Sequence, residues 1–81
     1  MKTAKDIVMR YAMKLTQQIT SEIDNMYQEG SGFGYLWVAD GYSKLAEKLL
    51  AARGFRMSVI KDGVGCTKYI IRPKDTEHIG G

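Results

Sequence analysis

Phe33-Gly34-Tyr35-Leu36-Trp37-Val38 is the stretch on which the fold turns. It carries an aromatic ring on every second residue and lies between two segments of helical periodicity. Successive side chains of a strand point to opposite faces, so Phe33, Tyr35 and Trp37 share one face while Leu36 and Val38 take the other. Both faces of this strand are therefore apolar. A chain this short has helices enough to cover only one face of a sheet, which leaves the aromatic face to a ligand, a partner or a second copy.

Upstream of the strand, Thr3 with Asp6 three residues on forms a capping box in which Asp replaces the usual Glu. It opens a helix running to about Glu29. Val8, Ala12, Leu15, Ile19, Ile23 and Met26 follow at steps of three or four and make one face of it. Gly30-Ser31-Gly32 ends the helix and links it to the strand Phe33 to Ala39. Downstream, Asp40 or Ser43 is expected to cap a second helix whose core stripe is Leu45, Ala46, Leu49 and Leu50, stopped by Gly54. Phe55 to Lys61 and Cys66 to Arg72 read as strands of a hairpin turning at Asp62-Gly63-Val64-Gly65. A three-residue loop, Gly63 to Gly65, gives the consistent register, with a positive φ expected at Gly63.

These elements predict an α+β fold of order α-β-α-β-β: a long N-terminal helix and a second helix packed on a small three-stranded mixed sheet. The first two strands flank a helix and are expected to run parallel through a right-handed crossover, which does not decide whether strand one pairs with strand two or with strand three. Residues 1–73 form the one domain and 74–81 a loose tail. In the register that keeps apolar residues together, Phe55, Met57, Val59, Tyr69 and Ile71 join Leu36 and Val38 on the inner face. Tyr35, Trp37, Arg56, Ser58, Ile60, Lys68, Ile70 and Arg72 collect on the outer face.

The first helix is too long for such a sheet. Its roughly 26 residues extend on the order of 39 Å, against about 20 Å for a six-residue strand, so part must overhang. Its charges also oppose the helix dipole, with Lys2, Lys5, Arg10 and Lys14 in the N-terminal half and Glu22, Asp24 and Glu29 in the C-terminal half. An antiparallel copy would lay the positive half over the negative one. A homodimer or larger oligomer through helix 3–29 is therefore expected, with Met9 and Met13 suited to a soft interface.

The chain has 81 residues, one Cys, one His and a net charge of +3. A domain of this size buries a modest core, and oligomerisation is the usual supplement where disulfides and metals are absent. Cys66 has no internal disulfide partner, and His78 stands in the polar tail without a second ligand at metal-site spacing. A reducing cytoplasmic setting, no metal, no cofactor and no membrane partner are the expectations. The N-terminus lacks an apolar signal core, and no long apolar run follows it.

The candidate ligand-binding residues are Tyr35, Trp37, Arg56, Ser58, Lys68 and Arg72 on the outer face, with Tyr42 and Ser43 at the start of the second helix. Aromatic rings stack on bases and guanidinium groups pair bidentately with phosphate, so a nucleotide or single-stranded nucleic acid suits the outer set. The same residues also read as a self-association surface or a second core layer. Tyr42 and Ser43 follow the end of a strand at a helix N-terminus, where free N–H groups attract an anion, or serve simply as a cap. The glycine-rich Gly30 to Gly34 precedes a strand rather than a helix and so lacks the phosphate-loop arrangement. No carboxylate pair, and no Cys-His pair besides Cys66 with the distant His78, supports catalysis. Gly80-Gly81 ends the chain as ubiquitin-like modifiers end, but those folds begin with a hairpin.

The run from Gly34 through Arg72, GYLWVADGYSKLAEKLLAARGFRMSVIKDGVGCTKYIIR, with a long helix before it, resembles a class of small accessory proteins encoded by bacteriophages. They share the order of long helix, short strand, helix ending in a Gly-aromatic or Gly-basic step and final hairpin. The resemblance covers the pattern of nearly the whole chain, shares no diagnostic motif and transfers no residue. It implies a non-enzymatic oligomeric binding protein that captures a small anionic ligand, such as a nucleotide signal of host defence. A nucleic-acid-binding module using the outer sheet face is the alternative, and a protein-inhibitor module docking on a host enzyme is a third.

Overall fold

The computed structural model describes residues 1–74; the tail residues 75–81, with His78 and Gly80-Gly81, lie outside the described part. The elements follow the expected order: α1 (Ala4–Glu29), β1 (Gly34–Ala39), α2 (Ser43–Ala51), β2 (Phe55–Asp62) and β3 (Cys66–Pro73). The capping box at the start of α1 is present, with the Asp6 N–H donating to Thr3 Oγ1 at 3.3 Å and the Thr3 N–H donating to Asp6 Oδ2 at 2.9 Å. At the other end Gly30 turns left-handed at φ 65°. The Ser31 N–H then donates to the Met26 carbonyl, which satisfies an otherwise free helix-end acceptor.

The sheet order is β1-β3-β2, and both pairings are antiparallel. This corrects the mixed sheet expected from the sequence. β1 and β2 do run in the same direction, but β3 returns from the hairpin and inserts between them, so no parallel ladder forms. Central β3 buries Tyr69 and Ile71 beneath the helices, beside Leu36 and Val38 of β1. Leu15, Ile19 and Met26 of α1 and Ala46 and Leu50 of α2 complete the core. α1 packs chiefly on β1 and α2 on β2.

Four further expectations are corrected. Leu49 is only half-buried, because the stripe of α2 that meets the sheet is Ala46 and Leu50. Val59 faces the helices yet is 60% exposed, since it stands on the edge strand beyond the cover of α2. The N-cap of α2 is Tyr42, which makes no side-chain capping bond, in place of Asp40 or Ser43. In the three-residue hairpin loop the positive φ falls on Gly65, at 75°, and not on Gly63. That places the left-handed residue last in the loop, as three-residue hairpins commonly do.

The overhang of α1 lies at its N-terminal end. Residues 4–10 are all exposed, and burial begins at Tyr11 and Ala12. The projecting helix makes the molecule long, at 53 × 22 × 20 Å. β1 runs antiparallel to α1, because the Tyr35 N–H donates to Glu22 Oε1 and the Ala39 N–H to the Tyr11 hydroxyl. The arm therefore projects past the end of the sheet that carries the hairpin loop.

Candidate ligand-binding face

Gly34 sets the attitude of β1. A Cβ on it would stand 2.7 Å from Glu22 Oε1 and 2.9 Å from Met26 Sδ, so any larger residue would have to push the Glu22 and Met26 side chains aside. The strand is held there by two side-chain acceptors. The Glu22 carboxylate takes the Tyr35 N–H at 3.1 Å, and the Tyr11 hydroxyl takes the Ala39 N–H at 2.9 Å. With Leu36 and Val38 directed into the core, Tyr35 and Trp37 must project from the opposite face. They are 43% and 46% exposed, and among the described residues no helix covers them.

Register fixes what stands beside each ring, because directly opposed residues of antiparallel strands share a face. Trp37 opposes Lys68, which opposes Lys61 on β2. Tyr35 opposes Ile70, which opposes Ser58. Arg72 opposes Arg56 in the next row. The result is an aromatic column on β1 beside two columns rich in cations on β3 and β2. Phe33 extends the aromatic column, meeting Tyr35 edge to face at 5.6 Å between centroids. Lys68 Nζ lies 4.6 Å from the centre of the Tyr35 ring and 5.8 Å from that of Trp37, within cation–π range of both.

The six candidate ligand residues expected on the outer face, Tyr35, Trp37, Arg56, Ser58, Lys68 and Arg72, thus lie on one surface. Lys61 belongs with them and was missed. Strict alternation puts it on the inner face with Val59, but a bulge between Val59 and Lys61 shifts the register by one and turns Lys61 outward. The break of alternation at Val59-Ile60 is the only sequence signal of it. Gly63 braces this corner, since a Cβ there would come within 3.2 Å of the Trp37 ring and of the Cys66 carbonyl oxygen. Cys66 is a half-buried free thiol.

Tyr42 and Ser43 are not part of this face. The Tyr42 ring stacks against Tyr11 at 4.2 Å, and the Ser43 hydroxyl hydrogen-bonds that of Tyr69 at 2.7 Å. Both lie on the helix side of the sheet, so the structure does not bring them together with the outer-face residues.

The electrostatics follow from the rows. Arg56 faces Arg72 and Lys61 faces Lys68, two like-charge pairs directly opposed across one ladder. Such pairs destabilise a sheet, and water only partly screens them. The rings and the side chains of Arg56, Ser58, Lys61 and Arg72 stand exposed on this face. A shallow groove of about 280 Å³ beside it is lined by Gln18, Ser21, Glu22, Tyr35, Leu36 and Trp37, with a carboxylate and no cation. Among the described residues no cluster of His, Cys, Asp or Glu is placed to hold a metal ion, and no helix is long and apolar enough to cross a membrane. Compared with protein families, curated proteins and solved structures, the chain matches none.

Proposed function

We propose that this chain is a non-enzymatic binding protein that holds single-stranded nucleic acid across the outer face of its sheet. Bases would stack on Trp37, Tyr35 and Phe33, and phosphates would be met by Lys68, Lys61, Arg56 and Arg72. The observation that carries the reading is the pair of opposed like-charge pairs beside an uncovered aromatic column. Four cations gathered on one face cost stability in the free protein, and a polyanion turns that cost into attraction. Aromatic residues two apart on a strand are spaced by about 6.8 Å, so an extended chain of unstacked bases can engage them in turn. Ser58 adds a neutral hydrogen-bonding group between the two cation rows.

A small anionic ligand such as a free nucleotide would use the same groups, one ring and one cation pair at a time. The exposure of these side chains along the whole face favours the longer ligand, because small-molecule sites bury most of the ligand. The nearby groove presents Glu22, which repels a phosphate. Titration of Trp37 fluorescence with oligothymidylates of roughly one to eight nucleotides separates these readings. The expected result is quenching with an affinity that climbs with length until the face is spanned. Affinity independent of length would return the free-nucleotide reading, and no quenching by any of them would overturn both.

A further inference from the structure

The two edges of the sheet are treated unequally, and the difference points to a second copy. On β1 the hydrogen-bonding groups that face away from β3 belong to Tyr35, Trp37 and Ala39, and two of those N–H groups are taken by Glu22 and Tyr11 of α1. The alternation of an antiparallel ladder then fixes the rest. Gly34, Leu36 and Val38 bond to Ile71, Tyr69 and Thr67; Arg72 and Ile70 bond to Arg56 and Ser58. The Gly63 N–H bond to the Cys66 carbonyl and the Lys74 N–H bond to the Gly54 carbonyl fit this phase. The groups of Phe55, Met57 and Val59 consequently point out of the sheet. Among the described residues none of them has a hydrogen-bond partner.

The side chains along this edge match its open backbone. Phe55, Met57, Leu45 and Leu49 are partly buried hydrophobics that extend the core to the rim, and Val59 is 60% exposed at its end. The regular part of β2 is Phe55 to Val59, closed on one side by Gly54 and on the other by the bulge. Its midpoint is Met57.

We infer that two copies of this chain pair antiparallel through β2 about a two-fold axis beside Met57, joining their sheets into one of six strands. In that register Met57 opposes the partner's Met57, and Phe55 opposes the partner's Val59. Each outward N–H and carbonyl of Phe55, Met57 and Val59 finds a complement. Arg56 falls opposite the partner's Ser58, so no like charges are directly opposed across the new ladder. The half-buried Leu49 and Phe55 and the exposed Val59 gain cover from the same residues of the other copy, as a self-complementary two-fold interface requires. The two outer faces become continuous through Arg56 and Ser58. The pairing stands on backbone geometry and does not rest on the nucleic-acid reading.

An antiparallel pairing along α1 is the competing arrangement. It would set the exposed methionines of one arm face, Met9 and Met13, with Arg10 beside them, against the polar exposed side of the C-terminal half, which carries Gln17, Ser21, Asp24 and Gln28. Light scattering on the full chain tests the choice. The wild type is expected at twice the mass of the 9.1 kDa chain. Val59→Lys puts a charge where the partner's Phe55 should pack and should give a monomer with an unchanged circular dichroism spectrum. Met57→Pro removes an outward N–H that serves no bond among the described residues and should do the same. A monomeric wild type overturns the inference. So does a dimer that survives Val59→Lys but is broken by Met9→Glu with Met13→Glu on the exposed arm.

Discussion

Replacing Arg56 and Arg72 by glutamine tests the meaning of the opposed cations. The four cations of the outer face allow about four phosphate contacts, and each contact to a single strand contributes about −0.7 to the slope of log affinity against log salt. The wild-type slope should therefore be about −2.8. Between about 50 and 200 mM salt that is a loss of roughly fifty-fold in affinity. The Arg56→Gln, Arg72→Gln variant keeps Lys61 and Lys68 and should show a slope of about −1.4, or roughly sevenfold over the same range. Folding should move the other way. Removing one directly opposed like-charge pair relieves repulsion, and after solvent screening the gain is at most about 0.5 kcal/mol. Fluorescence titration of an oligothymidylate at several salt concentrations gives the slope, and a thermal melt gives the stability. An unchanged slope, with or without altered stability, would refute the assignment of these arginines to phosphate.

Other outcomes follow from the packing. Trp37→Ala should leave the fold largely intact, because the ring is half exposed, and should lose about 1–3 kcal/mol of oligonucleotide binding; loss of the folded state on a circular dichroism melt would mark the ring as core. Leu50→Ala should cost about 2–5 kcal/mol in urea titration, since Leu50 is fully buried, and Leu49→Ala clearly less. Gly34→Ala should destabilise by about 1–3 kcal/mol, as overpacking does, because its methyl group meets Glu22 and Met26; an unchanged melting temperature would show that α1 yields freely.

Much of the fold was legible because periodicity records burial. The steps of three and four through Leu15, Ile19 and Met26, the capping box at Thr3 and the alternation around Trp37 each follow from a single local rule, and each holds in the structure. Strand order was not legible, since it depends on which edge of β3 the first strand meets, and nothing local to β1 encodes that. Leu49 and Leu50 are equally apolar, so only the placement of α2 over the sheet decides which is buried. The site was legible to the extent that alternation persisted. Lys61 escaped because one inserted residue reverses the faces beyond it, and Tyr42 and Ser43 misled because a helix start beside a strand end looks the same whether its hydroxyls face a ligand or a neighbouring tyrosine.

The claim that the outer sheet face holds a single strand is tested most directly by mapping oligothymidylate binding on the backbone amide spectrum of the ¹⁵N-labelled protein. The account predicts shifts concentrated at Tyr35, Trp37, Arg56, Ser58, Lys61, Lys68, Ile70 and Arg72, the residues that register places on one surface. The amides of Leu15, Ile19, Ala46 and Leu50 on the helix side should stay in place. Shifts centred on the α1 arm or on Tyr42 and Ser43, with the outer-face amides unmoved, would contradict it.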